Sequence, residues 1–214
     1  RAMKLKKNDR IVFFGDSITE WGRNREDKTS LGNGYVAALS RILTERFPEA
    51  DFRYFNRGIG GNHIHDLNNR ISDCLDLKPD VVFLLIGIND VWHQVGQKDF
   101  GSEEEANRFE AEYRKLLKQL QEAGIQRILL LEPFVLPRPS DRASWRVDLD
   151  KKIQIVRKLA QKFQLEFVPL DGLINEEAIK VGAKSLTGED GVHPTPQGAQ
   201  FIASEIFKRI EVGK

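Results

Sequence analysis

A serine at the end of an apolar run and an aspartate three residues before a histidine are the side chains here best suited to covalent chemistry. The run Ile11-Val12-Phe13-Phe14 ends in Gly15-Asp16-Ser17, and Asp190 precedes His193 in GEDGVHPTP. A carboxylate beside an imidazole accepts its Nδ1 proton, fixes the tautomer, and stabilises the imidazolium formed when Nε2 takes a proton from a hydroxyl. A serine so served is a nucleophile toward a carbonyl carbon. Taken singly, each feature also has a structural explanation: serine is common in turns after strands, and the Asp-His pair reads as a helix cap beside an exposed histidine.

Acyl transfer further needs donors for the oxyanion that develops on the carbonyl. Two segments supply candidates. NRGIGGNH carries Gly58, Gly60 and Gly61, whose freedom of backbone angle lets an N–H approach a ligand closely. GIND offers the side-chain amide of Asn89 just after Gly87. The segment GIGGNH is not a dinucleotide fingerprint, because His63 stands where the third glycine would fall. Asn-Asp after a strand is by itself also a turn signal.

These residues need elements to position them. Short apolar runs at 10–14, 52–55, 81–86, 128–131 and 166–170 read as five buried strands. Segments with helical periodicity lie between them, clearest over 103–123 and 145–163, and a further helix starts near Thr195 or Pro196. Strand and helix alternate, which implies right-handed crossovers and a parallel sheet with helices on both faces. The continuous VVFLLI run suits a strand covered on both sides. The expected fold class is therefore α/β, a three-layer α/β/α arrangement with a flavodoxin-like five-stranded parallel sheet, in a single domain over 1–214. Irregular stretches at 22–34 and 132–144 leave carboxyl ends of strands, where an open α/β sheet builds its substrate site. Asp16, Trp21, Asn62, Trp92 and Phe134 are the residues expected around that pocket.

Composition removes several function classes. Lysine and arginine total 33 against 32 acidic residues, so a formal charge of +1 gives no field to gather nucleic acid or an anionic membrane. No stretch reaches the roughly 18–20 apolar residues that would span a bilayer. Cys74 has no partner for an internal disulfide and sits on an apolar helix face as core filler. His63 and His65 lack a convincing carboxylate and third ligand at metal-site spacing, and read as residues at a helix start. The N-terminal segment lacks a secretory apolar region, which points to a cytoplasmic protein. Arg1 and Ala2 ahead of Met3, the only methionine, read as a cloning remnant and are compatible with a removed leader.

Together, GDS after the first strand, NRGIGG after the second, GIND after the third and DGVH near the C-terminus resemble the SGNH, or GDSL-type, hydrolase family. The blocks occur in family order from residue 15 to 193, nearly the whole chain. Ile18 replaces the leucine of the name motif, an aliphatic exchange that leaves the serine in place. The resemblance implies Ser17 as nucleophile, Asp190 and His193 as the pair that activates it, and the Ser17 N–H, Gly61 N–H and Asn89 amide as oxyanion donors. The tandem glycines leave Gly60 open beside Gly61. It also implies catalysis with neither metal nor organic cofactor, on a small-molecule or carbohydrate ester. Arginine and tryptophan in the rim, without a long apolar lid, favour short acyl groups on a polar alcohol. Lysophospholipase, thioesterase and acyltransferase activities belong to the same family, and a flavodoxin-like binding protein would share the fold.

Overall fold

The apolar runs condense into strands buried on both faces, and the parity of their residues sorts two cores. The structure is a computed structural model that describes residues 2–213, so Arg1 of the expected cloning remnant lies outside it. Its strands are β1 (Met3–Leu5), β2 (Arg10–Gly15), β3 (Arg53–Gly58), β4 (Val81–Leu85), β5 (Arg127–Leu131), β6 (Glu166–Val168) and β7 (Ile210–Val212). Side chains alternate faces along a strand. Ile11, Phe13, Val81, Phe83, Leu85, Leu129 and Leu131 enter one core, and Val12, Phe14, Val82, Leu84, Ile128 and Leu130 enter the other.

The central sheet is parallel throughout, in the order β3-β2-β4-β5-β6. Phe13 pairs with Phe83 across β2 and β4, their ring centroids 4.9 Å apart. A slip of one residue would exchange the two faces, so burial on both sides fixes this register. Gly15 consequently pairs with Leu85, and the two strands end at the same level. β2 connects onward to β3 on one side and its neighbour β4 to β5 on the other, so the connections diverge and open a crevice at the carboxyl ends of β2 and β4.

Helices cover both faces: α1 (Ser17–Glu20), α2 (Tyr35–Arg46), α3 (Ile64–Asn69), α4 (Ser72–Leu75), α5 (Ile88–Trp92), α6 (Glu103–Glu122), α7 (Arg146–Lys162), α8 (Leu170–Val181), α9 (Ala183–Leu186) and α10 (Pro196–Phe207). Residues of α2, α8 and α10 pack into the first core, those of α3, α4 and α6 into the second, and α7 contributes to both. The three-layer α/β/α architecture is the one the alternating pattern predicts. Helix α6 shows why these segments are helical. Ser102 caps it by accepting the Glu105 N–H at 3.1 Å, Glu103 to Glu105 face its positive end, and Phe109, Tyr113, Leu116, Leu117 and Leu120 repeat at helical spacing on the buried side.

Two details differ from the sequence reading. The run at 166–170 stops as a strand at Val168, since Pro169 lacks an amide donor and Leu170 already begins α8. β1 and β7 form a separate two-stranded parallel sheet that periodicity did not reveal, each being only three residues long.

Candidate active site

Ser17 is the first residue of α1, directly beyond β2. Asp16 caps this single turn by accepting the Ile18 N–H at 2.9 Å. The turn is held very close to its neighbours, and two glycines allow it. A Cβ on Gly15 would lie 2.5 Å from the Leu85 carbonyl oxygen, and one on Gly58 would lie 2.3 Å from the Glu20 nitrogen. Asn56, fully buried in β3, completes the frame: its amide donates to the carbonyls of Thr19 at 2.7 Å and Leu31 at 2.9 Å, and its oxygen accepts Gly58 N–H at 2.9 Å.

The loop before α10 brings the distant pair to this serine. Thr195 caps α10 by accepting Gly198 N–H at 3.1 Å, with Pro196 at the first helical position, so the preceding residues turn back over the sheet edge. His193 Nε2 lies 2.8 Å from Ser17 Oγ, and His193 Nδ1 lies 2.6 Å from Asp190 Oδ2. An ionised carboxylate only accepts, so the Nδ1 proton points to Asp190 and the Nε2 lone pair to the hydroxyl. Partial burial raises the Asp190 carboxyl pKa, but hydrogen bonds from the His193 ring and from the backbone N–H groups of His193 and Val192 outweigh this and hold it below the usual range. Arg142 Nε donates to the Asp190 carbonyl at 2.7 Å, while its guanidinium lies over the rings of Trp145 and Trp92 at 4.2 and 5.2 Å.

Backbone donors are left over beside the hydroxyl. Ser17 N–H and Gly61 N–H make no hydrogen bond among the described residues. Gly60 N–H, in contrast, is given to Glu20 Oε1 at 2.9 Å. Asn89 follows β4 in α5 and uses one amide hydrogen on the Asn62 carbonyl at 3.1 Å, which keeps the second for another acceptor. This helix is anchored from below by Lys152, fully buried, whose Nζ donates to the Asp90 carbonyl at 3.0 Å and pairs with Asp148 at 2.5 Å. Burial pushes the Asp90 carboxyl pKa up to about 8 and that of Asp16 to about 7.

Residues 13–201, from β2 through α10, match the GDSL-like lipase/acylhydrolase family. The chain belongs to that family. It is 32% identical to an acetylxylan esterase of Geobacillus stearothermophilus over 97% of this chain and 96% of that protein. A solved structure of an acetylxylan esterase from the same organism, a catalytic mutant, superposes with a TM-score of 0.85 at 30% identity, covering 97% and 96% of the two chains. A GDSL-like lipase from Parabacteroides merdae superposes with a TM-score of 0.89 at 32% identity, covering 98% of each. Like its relatives, this GDSL-like hydrolase is a serine carboxylic ester hydrolase.

The cleft at the serine of this GDSL-like hydrolase is open, about 530 Å³ in volume, and lined by Ser17, Glu20, Trp21, Arg23, Arg25 and His193 among others. Trp21 is 41% exposed, and its ring centroid lies 6.0 Å from that of His193; Trp92 flanks the same imidazole at 6.2 Å. Both tryptophans therefore stand beside the His193 imidazole. Two other pocket expectations are corrected. Asp16 is buried because its carboxylate caps α1, and Phe134 is fully buried because it packs in the first core. Asn62 is half-buried and spends its polar atoms internally, its carbonyl on Asn89 and its Oδ1 on Arg70 Nε at 2.7 Å. His63 caps α3, as a helix-start residue should, and Cys74 is buried. Asn56, Arg70, Arg142 and Lys152 were not foreseen. Their signals are distributed, since each acts through contacts with segments far away in sequence. Among the described residues, no helix is long and apolar enough to cross a membrane.

Proposed function

We propose that this acetyl ester hydrolase removes acetyl groups from hydroxyls of a carbohydrate, with Ser17 as nucleophile, His193 as proton carrier and Asp190 as its orienting partner. The observation that carries the reading is the unbroken relay from Asp190 Oδ2 through His193 to Ser17 Oγ, at 2.6 and 2.8 Å. His193 Nε2 takes the hydroxyl proton as Oγ attacks the acetyl carbonyl, then returns it to the departing sugar hydroxyl. Water activated by the same imidazole releases acetate from the acyl-serine. The oxyanion receives Ser17 N–H, Gly61 N–H and the second Asn89 hydrogen. Engagement of Gly60 N–H by Glu20 supports Gly61 over its neighbour.

The substrate class rests on the similarity to acetylxylan esterases, whose solved catalytic mutants include replacements of a serine, an aspartate and a histidine. An open cleft with Trp21 at its wall and Arg23, Arg25 and Glu20 on its rim suits a polar alcohol with an apolar ring face better than a long acyl chain. The test is hydrolysis of acetyl, butyryl and long-chain esters and of acetylated xylo-oligosaccharides by the wild type and Ser17→Ala. The reading requires fastest turnover on acetyl esters, release of acetate from the oligosaccharides, and no turnover by a folded Ser17→Ala variant. A long-chain optimum would overturn the substrate class, and an active Ser17→Ala variant would overturn the nucleophile.

A further inference from the structure

Three of the four histidines of this chain meet away from the catalytic serine. His63 Nδ1 is 3.2 Å from Asp66 Oδ2, and His65 Nε2 is 3.4 Å from Asp66 Oδ1. One ligand atom from each of His63, His65 and Asp66 lies within 4.8 Å of the other two. The two imidazoles stack nearly parallel, 5.1 Å apart at 12°. On its other side His63 Nε2 is 2.7 Å from His93 Nδ1, the residue immediately after α5. A cleft of about 530 Å³, lined in part by His63, His65, Asp90 and Glu105, opens beside the group. None of its lining residues is Ser17, Asn89 or His193.

We propose that His63 Nδ1, His65 Nε2 and the Asp66 carboxylate form a binding site for a divalent transition ion of the zinc type, with His93 holding His63 from outside. The sequence shows two histidines without a convincing carboxylate and third-ligand pattern. The fold brings the neighbouring Asp66, in the first turn of α3, against both imidazoles and sets His93 from a different segment behind His63.

The donor set is two imidazole nitrogens and one carboxylate oxygen, which suits zinc better than magnesium or calcium. A tetrahedral ion with bonds of about 2.0–2.1 Å holds its ligand atoms roughly 3.3 Å apart. His63 Nδ1 and His65 Nε2 each lie near that spacing from one oxygen of the Asp66 carboxylate, Oδ2 and Oδ1 respectively. A turn of the stacked rings about their side-chain bonds would aim both nitrogens at one ion. The fourth position would face solvent, since the side chains of His65 and Asp66 are 53% and 34% exposed.

The protons balance. Without metal, His63 Nδ1–H donates to Asp66 and Nε2 accepts from His93 Nδ1–H. The ion displaces the Nδ1 proton, and His63 takes up its single ring proton on Nε2 instead, so the change is a tautomer shift with no net proton released. His63 then donates this Nε2–H to His93 Nδ1, the outer hydrogen bond that fixes the tautomer of most metal-bound imidazoles. That exchange needs only tautomerisation of His93, whose other ring nitrogen takes the proton. An ion bound this way would fix the position of His63, and with it the hydrogen bond to His93 that links the segment after Gly61 and Asn62 to the end of α5.

The experiment is titration of the untagged, chelator-treated full chain with zinc by calorimetry, with cobalt as the spectroscopic probe and thermal melts in parallel. Wild type should bind about one ion per chain and gain Tm, with a cobalt absorption typical of a low-coordinate nitrogen and oxygen site. His65→Ala, which removes no helix cap, should weaken binding by roughly tenfold or more, and His93→Ala by about 10- to 100-fold. His193→Ala should bind as wild type does. The proposal is overturned if wild type takes up no stoichiometric zinc, if His65→Ala binds as tightly as wild type, or if binding is lost in His193→Ala instead.

Discussion

Arg70 Nε donates to Asn62 Oδ1 at 2.7 Å, and the backbone carbonyl of that same Asn62 receives the side-chain amide of Asn89 at 3.1 Å. The other end of the guanidinium donates to the Gly15 carbonyl at 3.0 Å, while its plane lies over Phe14 at 4.6 Å. One half-buried cation thus joins the end of β2, two residues before Ser17, to the loop carrying Gly61 and the helix carrying Asn89, the proposed oxyanion donors.

Replacing Arg70 by lysine keeps a charge but loses the fork that reaches two acceptors at once. A misplaced donor costs transition-state stabilisation more than ground-state binding. Arg70→Lys should therefore lower kcat by roughly tenfold on an acetyl ester with KM nearly constant. Steady-state rates well below Tm read this, and a raised KM at unchanged kcat would assign Arg70 to substrate binding.

Asn89→Ala removes the amide that retains a free hydrogen. Loss of one oxyanion donor lowers turnover by about a hundredfold or more, because it acts where charge develops. KM should move much less. Unchanged kcat in this variant would remove Asn89 from the oxyanion site.

Asp16 gives a pH signature in stability. Burial raises its carboxyl to about 7 in the folded chain, against an ordinary value near 3.8. Below pH 4 the group is protonated in both states and costs nothing. Between about 4 and 7 the unfolded chain ionises while the folded chain holds its proton, so stability declines as pH rises. Asp16→Asn preserves the cap on Ile18 and lacks this titration. Its stability relative to wild type should grow by roughly 1–3 kcal/mol from pH 4 to 7.5, read from denaturant melts. Parallel stability curves for the two proteins would contradict the assignment.

Gly58→Ala tests the frame behind the nucleophile. The new methyl would meet backbone atoms, Glu20 N at 2.3 Å and the Asp16 carbonyl oxygen at 2.7 Å, so no flexible side chain can yield. Overpacking of this kind costs about 1–3 kcal/mol. Both Tm and kcat should fall, since relief requires moving the turn that presents Ser17. A variant with wild-type Tm and turnover would show that the turn yields freely.

The core strands and the residues proposed to react were legible because their signals are local. An apolar run buried on both faces needs no distant information, and capping chemistry at Ser102 and Thr195 marks helix starts within a few residues. β1 and β7 escaped because three residues carry no readable period. Asp16 and Phe134 were misplaced for a related reason. Nearness in sequence to Ser17 or to a strand end does not say which way a side chain points, and here one turns back to cap a helix while the other enters the core.

By itself, the sequence determined the alternation of elements and the α/β class, and it marked the serine, the Asp-His pair and the amide proposed to carry the chemistry. Each follows from residue type and short-range order. Tertiary structure decided which of them meet. The register of Gly15 with Leu85 sets β2 and β4 to end together, and the loop before α10 carries His193 across 176 positions of chain to Ser17. It also decided that Gly60 is spent on Glu20 while Gly61 stays free, and that His63, His65, Asp66 and His93 converge. Hydrogen bonds and metal geometries depend on tenths of an ångström between segments remote in sequence, and only the packed sheet and its helices fix those separations.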